Sequence, residues 1–332
     1  MSQQQPEQQL DFASGDLDLL GQRSAFNATV RDATRNAWAS KLPGDDEYTV
    51  IDHQVAVEGS EILVRAVVPT PKNELERFPL LFWTHGGGWF AGDLDSNDYP
   101  LRMLSHELRL AVFNVDYRLA PEHRHPTQVN DSYAALKWAA ANTDLLRADL
   151  KRGFIVAGES SGAHIAAVLV QRSRDDPFFK DYPITGQLLQ IPPLLHPDAA
   201  DRVSEKLRVR LRSYEENKNA ATLTSESMRF YWSLLLAENN PHSASDPEVS
   251  PFLHPNLRGL PPAVIQIAEA DPLRDEAILY GELLAEAGGK ARVIMYLGVP
   301  HGFSTFFPEH EQSVKLEFDV RQGLRWLLDG AP

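Results

Sequence analysis

The strongest constraint on this chain is an alternation. Short, nearly continuous apolar runs rich in Val, Ile and Phe recur along most of the 332 residues, separated by longer stretches of helical period. Runs such as Leu80-Leu81-Phe82-Trp83, Phe154-Ile155-Val156-Ala157 and Val264-Ile265-Gln266-Ile267 offer almost no polar face. Strands of that kind are buried on both sides, and the helices between them supply the covering layers. The pattern predicts an α/β fold: a mostly parallel central sheet of about eight strands flanked by helices. Strands are expected over 48–57, 61–68, 78–84, 110–115, 153–157, 186–191, 263–268 and 291–297. Helices are expected over 98–107, 131–142, 161–172, 225–238, 274–287 and 312–328, the 274–287 pattern ending at Gly288-Gly289. Two stretches fall outside the alternation. Residues 12–39 form an amphipathic helical pattern, and residues 197–260 turn from charged to aromatic in Met228-Arg229-Phe230-Tyr231-Trp232 and then to Pro- and Asn-rich. The expected organisation is N-terminal cap helices over 1–45, with the first ten or so Gln-rich residues disordered. A core follows over 46–196 and 261–332, with a helical cap insertion over 197–260.

Composition narrows the function. Lys plus Arg against Asp plus Glu gives 32 − 46 = −14, so nucleic acid and anionic membrane surfaces are repelled overall. With no cysteine, the chain has no disulfide, thiolate metal site, iron–sulfur cluster or cysteine nucleophile. The N-terminus has neither the basic start nor the apolar core of a secretory signal. No stretch approaches the ~18 apolar residues of a membrane span. A cytoplasmic location is therefore expected, and the glycosylation-like triplets at Asn27 and Asn130 are read as coincidental. No histidine pair has the helical spacing of a zincin, so neither metal nor cofactor is expected.

Gly158-Glu159-Ser160-Ser161-Gly162 fits G-x-S-x-G between an apolar strand and a helical run. A serine at such a turn sits on a sharp elbow, with small neighbours letting the backbones pass and a helix N-terminus behind it favouring developing negative charge. By its letters alone the motif is also an ordinary strand-to-helix turn. His85-Gly86-Gly87-Gly88-Trp89 follows another strand, and its glycines let backbone N–H groups approach an oxyanion together with the N–H of Ser161. The structural alternative is a flexible turn; a phosphate loop is disfavoured, since no Lys-Ser/Thr ending or G-x-G-x-x-G is completed. A nucleophilic serine needs a base and an orienting acid, here in the order serine, acid, histidine at the carboxyl ends of later strands. Asp271 follows the seventh expected strand and His301 the eighth. Asp275 and Glu276, one turn further on, read as helix-dipole partners.

Taken together, His85–Gly88, Asp116-Tyr117-Arg118-Leu119-Ala120-Pro121-Glu122, Gly158–Gly162, Asp271-Pro272-Leu273 with Asp275, and His301-Gly302-Phe303 resemble the hormone-sensitive-lipase-like family of α/β-hydrolases. The resemblance runs from about residue 48 to the C-terminus. It implies a serine carboxylesterase with Ser160, Asp271 and His301 as triad, oxyanion donors at Gly87, Gly88 and Ser161, and a cap built from the N-terminal helices and the insertion. Members of that family often pair through the last strand and neighbouring helix, which leaves a homodimer open. Glu159 and Ser161 depart from the Asp and Ala common in that family, which bears on specificity more than on activity. The Asp116–Glu122 stretch reads as scaffold. Trp89, Phe90, Phe230, Tyr231, Trp232 and Phe303 are candidates for an apolar substrate pocket and equally for packing. The expected function is hydrolysis of esters of small or medium apolar substrates through an acyl-enzyme. Lactone or amide hydrolysis, acyl transfer or cyclisation in a secondary-metabolite pathway, and a non-catalytic ligand-binding homologue are the alternatives.

Overall fold

The computed structural model describes residues 18–237, 240 and 242–332, so the expectations for the Gln-rich start and for the first residues of the 12–39 pattern lie outside the described residues. Helix α1 (Leu19–Trp38) opens the described chain; Asp18 caps it by accepting from the Gly21 N–H at 2.9 Å. Then come β1 (Tyr48–Val57), β2 (Ser60–Pro69), β3 (Leu80–Thr84), α2 (Asp98–Leu108), β4 (Ala111–Val115), α3 (Thr127–Ala141), β5 (Phe154–Glu159), α4 (Ser161–Asp175) and β6 (Gly186–Gln190). The stretch after β6 holds α5 (Glu205–Arg208), α6 (Ser213–Glu216) and α7 (Ser225–Leu235). The chain closes with β7 (Ala263–Ala270), α8 (Arg274–Glu286), β8 (Ala291–Pro300), α9 (Phe303–Phe306) and α10 (Glu311–Leu328).

The eight strands form one sheet in the order β1-β2-β4-β3-β5-β6-β7-β8. The β1/β2 and β2/β4 pairs are antiparallel; from β4 to β8 every pair is parallel. The burial follows from the composition of the runs. All five residues of β3 and all five of β4 are buried, whereas the edge strand β1 buries only Tyr48 and Val55. Helices α3, α4 and α8 cover one face around Phe82, Phe113, Val156 and Ile265, and α2 and α10 cover the other around Leu81, Val112, Ile155 and Leu324. Helix α4 is buried on nearly every side, and its Ser161-Gly162-Ala163 start lets it pass close to β3.

Element ends differ from the expected ones where local chemistry intervenes. Strand β3 begins at Leu80, because Pro79 has no N–H to donate and Phe78 makes only a single bridge, to Ala148. Helix α3 starts at Thr127, four residues before the expected 131, directly after Pro126. Strands β7 and β8 run on to Ala270 and Pro300, which carries their carboxyl ends further toward the loops that follow. Those loops, with the ones after β3 and β5, collect at the carboxyl ends of the parallel strands.

Candidate active site

The tightest local geometry lies at the end of β5. Ser160 has φ +51° and ψ −121°, a conformation an L-residue holds only when its surroundings enforce it. Those surroundings are glycines. A Cβ on Gly162 would lie 2.0 Å from the Thr84 carbonyl oxygen, and one on Gly158 would lie 2.5 Å from the Gly162 backbone. The Ser160 N–H donates to the Gln190 carbonyl at 2.8 Å, and its own carbonyl accepts from the His164 N–H at 3.1 Å. The side chain is thereby held outside the helix that begins at Ser161.

Two loops come to meet it. The Ser160 Oγ lies 2.8 Å from His301 Nε2, and His301 Nδ1 lies 2.7 Å from Asp271 Oδ2. Asp271 is buried, and its second carboxylate oxygen accepts from the Leu273 N–H at 2.9 Å. Asn217, just beyond α6, donates to the backbone carbonyls of Glu269 and Asp271 at 3.1 and 3.0 Å, and Thr222 donates to the His301 carbonyl. The stretch between β6 and β7 therefore holds both loops in place.

The glycine loop after β3 is shaped by contacts that exclude side chains. Gly87 has φ +120°, and a Cβ there would meet the Ala91 carbonyl oxygen at 2.2 Å; one on Gly88 (φ +63°) would enter the Tyr231 ring at 2.7 Å. Among the described residues, the N–H groups of Gly87, Gly88 and Ser161 have no protein acceptor. His85 is fully buried, stacked on Tyr117 at 4.3 Å between ring centroids, and its Nδ1 lies 2.8 Å from the Gly86 carbonyl. Burial pushes its imidazole down to about 4, so it is neutral at pH 7. Tyr117 donates to the His85 carbonyl at 2.8 Å, and Arg118 pairs with buried Asp131 at 2.7 Å.

These parts border a cavity of about 840 Å³, its open mouth included. Of the six aromatics singled out from the sequence, Trp89 and Tyr231 line it; Phe90, Phe230, Trp232 and Phe303 do not. Successive residues of a helix point about 100° apart. The face of α7 that meets the cavity therefore carries Met228 and Tyr231, while Trp232 turns inward onto Trp89 (4.3 Å) and His196 (4.9 Å). Phe90 is buried with Ala120 and Leu234, Phe230 packs against that cluster, and Phe303 packs on Tyr296 beneath the sheet edge. Phe26 and Val30 of α1, Ile191 and Leu223 complete the apolar wall. The i, i+4 pair on the N-terminal amphipathic pattern was the available signal for Phe26 and Val30; Ile191 and Leu223 had none. Asn97 and Glu159 add polar groups to the lining, joined by an Asn97 Nδ2 to Glu159 Oε2 hydrogen bond of 3.0 Å.

Asp275 and Glu276 do more than face a helix dipole. Asp275 accepts from the N–H groups of Arg212 and Ser213 at 2.7 and 2.8 Å, and Glu276 from those of Leu194 and Leu195 at 2.6 and 3.2 Å. Both carboxyls are buried anchors for the chain that follows β6.

A serine on a strained strand-to-helix elbow, bonded to a histidine that is bonded to a buried aspartate, is the arrangement of a serine hydrolase. Residues 81–305 match the alpha/beta hydrolase fold family. The chain belongs to that family. Esterase LipI of Mycobacterium tuberculosis is 36% identical over 263 residues, covering 79% of this chain and 77% of LipI. Among solved structures, vibralactone cyclase superposes with a TM-score of 0.91 at 36% identity, covering 100% of this chain and 93% of the cyclase. The hyperthermophilic esterase of the archaeon Pyrobaculum calidifontis gives 0.79 at 31% identity, with 95% of each chain covered.

Proposed function

We propose that this chain is a carboxylic ester hydrolase acting on small or medium apolar esters through an acyl-enzyme on Ser160. The family match and the esterase relatives support the reaction class. The observation that carries the residue roles is the continuous relay from Ser160 Oγ through His301 to Asp271, with bonds of 2.8 and 2.7 Å at an elbow of positive φ. Ser160 Oγ attacks the ester carbonyl carbon as His301 Nε2 takes its proton. The resulting oxyanion faces the N–H groups of Gly87, Gly88 and Ser161, each such donor contributing on the order of 10²–10³ in rate. Collapse breaks the bond to the alcohol oxygen, which receives the proton from His301. Water then attacks the acyl-enzyme by the same route, and Asp271 keeps the imidazole in the productive tautomer throughout. Residues 18–38 and the α5–α7 region act as a cap, since Phe26, Val30, Met228 and Tyr231 close the cavity and shield the oxyanion from water.

The test is a series of p-nitrophenyl esters of rising acyl length, run on the wild type and on Ser160→Ala. Turnover by wild type and none by the variant is expected; retained turnover in the variant would sink the assignment. A second reading, intramolecular acyl transfer to give a lactone, is favoured by the 0.91 match to vibralactone cyclase over the full chain. A hydroxy-ester substrate separates the two, because hydrolysis yields a hydroxy acid and cyclisation a lactone.

Among the described residues strand β8 pairs on one side only, and it exposes Val293, Met295 and Leu297, so a homodimer formed through this edge fits the surface. Among the described residues no helix is long and apolar enough to cross a membrane.

A further inference from the structure

Beside the catalytic cavity lies a second one of about 710 Å³, its opening included. The two share Asn97, Glu159 and Thr305 as lining residues, so these three side chains form the partition between them. Helix α1 roofs both. Phe26 and Val30 face the catalytic cavity, and Ala33, Thr34 and Ala37 continue the same helical face over the second. The change from Phe and Val to alanines is what leaves the space open. Opposite the alanines stand Leu101 and Leu104 of α2 and Leu316 and Val320 of α10, an apolar wall with Glu317 and Arg321 also in its lining.

The partition is braced. Asn97 accepts from Trp83 Nε1 at 3.2 Å and donates to Glu159 Oε2 at 3.0 Å, so its amide is held from both ends. We propose that the second cavity receives the distal end of an extended apolar arm of the ester, which passes at Thr305 beside the hydrogen-bonded Asn97–Glu159 pair, and that its depth sets the chain length accepted. Burial raises the Glu159 carboxyl, which favours the neutral form and lowers the cost of an apolar chain beside it. From Val30 to Ala37 the helix rises about 10 Å, the reach of a medium-length alkyl chain. The inference rests on the ester-hydrolase reading and extends it to the substrate class: esters with one medium-chain arm.

Two ester series test it, one lengthening the acyl chain on p-nitrophenol from acetate to decanoate, the other lengthening the alcohol of an acetate ester. Wild type is compared with Ala33→Phe and Ala37→Phe, which fill the cavity from its roof. The kcat/KM ratio of longest to shortest ester should fall at least tenfold, since each methylene denied burial costs about fourfold. The series in which it falls tells which arm enters. Unchanged ratios in both series, in variants that still hydrolyse acetate, overturn the proposal while leaving the esterase reading intact. No acetate turnover by wild type would instead overturn the esterase reading. Should the variants not fold, a crystal structure of wild type modified by a decyl phosphonate decides: a chain seated between Leu104 and Leu316 supports the proposal, and one confined to the catalytic cavity overturns it.

Discussion

At the scale of single residues, Asp271 and Asp275 do different work although they sit one helical turn apart. Asp271 points at His301, whereas Asp275 holds the Arg212 and Ser213 amides. Asp271→Asn should lower kcat by about four orders of magnitude through the wrong imidazole tautomer, with little change in melting temperature. Asp275→Ala should leave the relay assembled yet destabilise the fold by about 2–3 kcal/mol, because two amides lose a charged acceptor in a buried place. Steady-state kinetics beside thermal unfolding separates these outcomes; the reverse pairing would mean that the wrong carboxylate has been assigned. Ser160→Ala and His301→Ala should each remove nearly all turnover, and the double variant should be hardly worse, since the groups act as a unit. The three residues could be picked out of the sequence because chain order and strand ends are enough to nominate them. The second function of Asp275 could not, because a helix-start acid looks the same whether solvent or a distant loop faces it.

At the scale of elements, the expected strands matched the sheet closely because a continuous apolar run has one stable use in a chain of this kind, a place buried on both faces. The cavity wall was less legible. Three consecutive aromatics on α7 cannot share a direction, and only packing decides which of them turns to the cavity. Tyr231 lines the cavity, whereas Trp232 packs on Trp89 and His196. Tyr231→Ala should alter relative rates across an ester series at modest stability cost, while Trp232→Ala should destabilise by about 3–5 kcal/mol. Equal effects on both readouts for the two variants would undo that division.

Helix α1 adds a second case at this scale. Arg23 donates to the carbonyls of Phe90 and Ala120 at 2.7 and 2.8 Å and pairs with Glu122 at 2.6 Å, while Asn27 accepts from the Gly92 N–H at 2.8 Å. The helix is thus tied to the loop that carries Gly87 and Gly88, and Glu122 of the scaffold motif serves as its anchor. Arg23→Ala should raise KM for apolar esters several-fold, with a smaller effect on kcat, as α1 loosens over the cavity. A KM equal to that of wild type would show that the clamp is not needed to hold the wall.

At the scale of the whole molecule, stability against pH is set by buried groups of opposite sign. Burial pushes His85 and His125 down to about 4 and His164 to about 3, against about 6.5 in an unfolded chain. Between pH 6.5 and 4 the unfolded state binds protons that the native state refuses. Their contribution is therefore complete above pH 6.5 and is lost as the pH falls toward 4, and for His164 toward 3. Asp116 runs the other way. Burial first, then the neighbouring Asp93 and Asp95 charges, push its carboxyl up to about 6, with Arg65 partly opposing. Its stabilisation is complete below about pH 4 and is lost as the pH rises through 6, where a buried carboxylate must be carried beside two others. Asp116→Asn removes that charge and keeps the shape. Since about a third of the side chain is exposed and water screens it, the gain should be about 1 kcal/mol at pH 8 and should shrink to nothing near pH 4. Urea unfolding at pH 4, 6 and 8 measures the difference. A gain that stays constant across the three would mean that the carboxyl titrates alike in both states, and that the effect comes from packing rather than from charge.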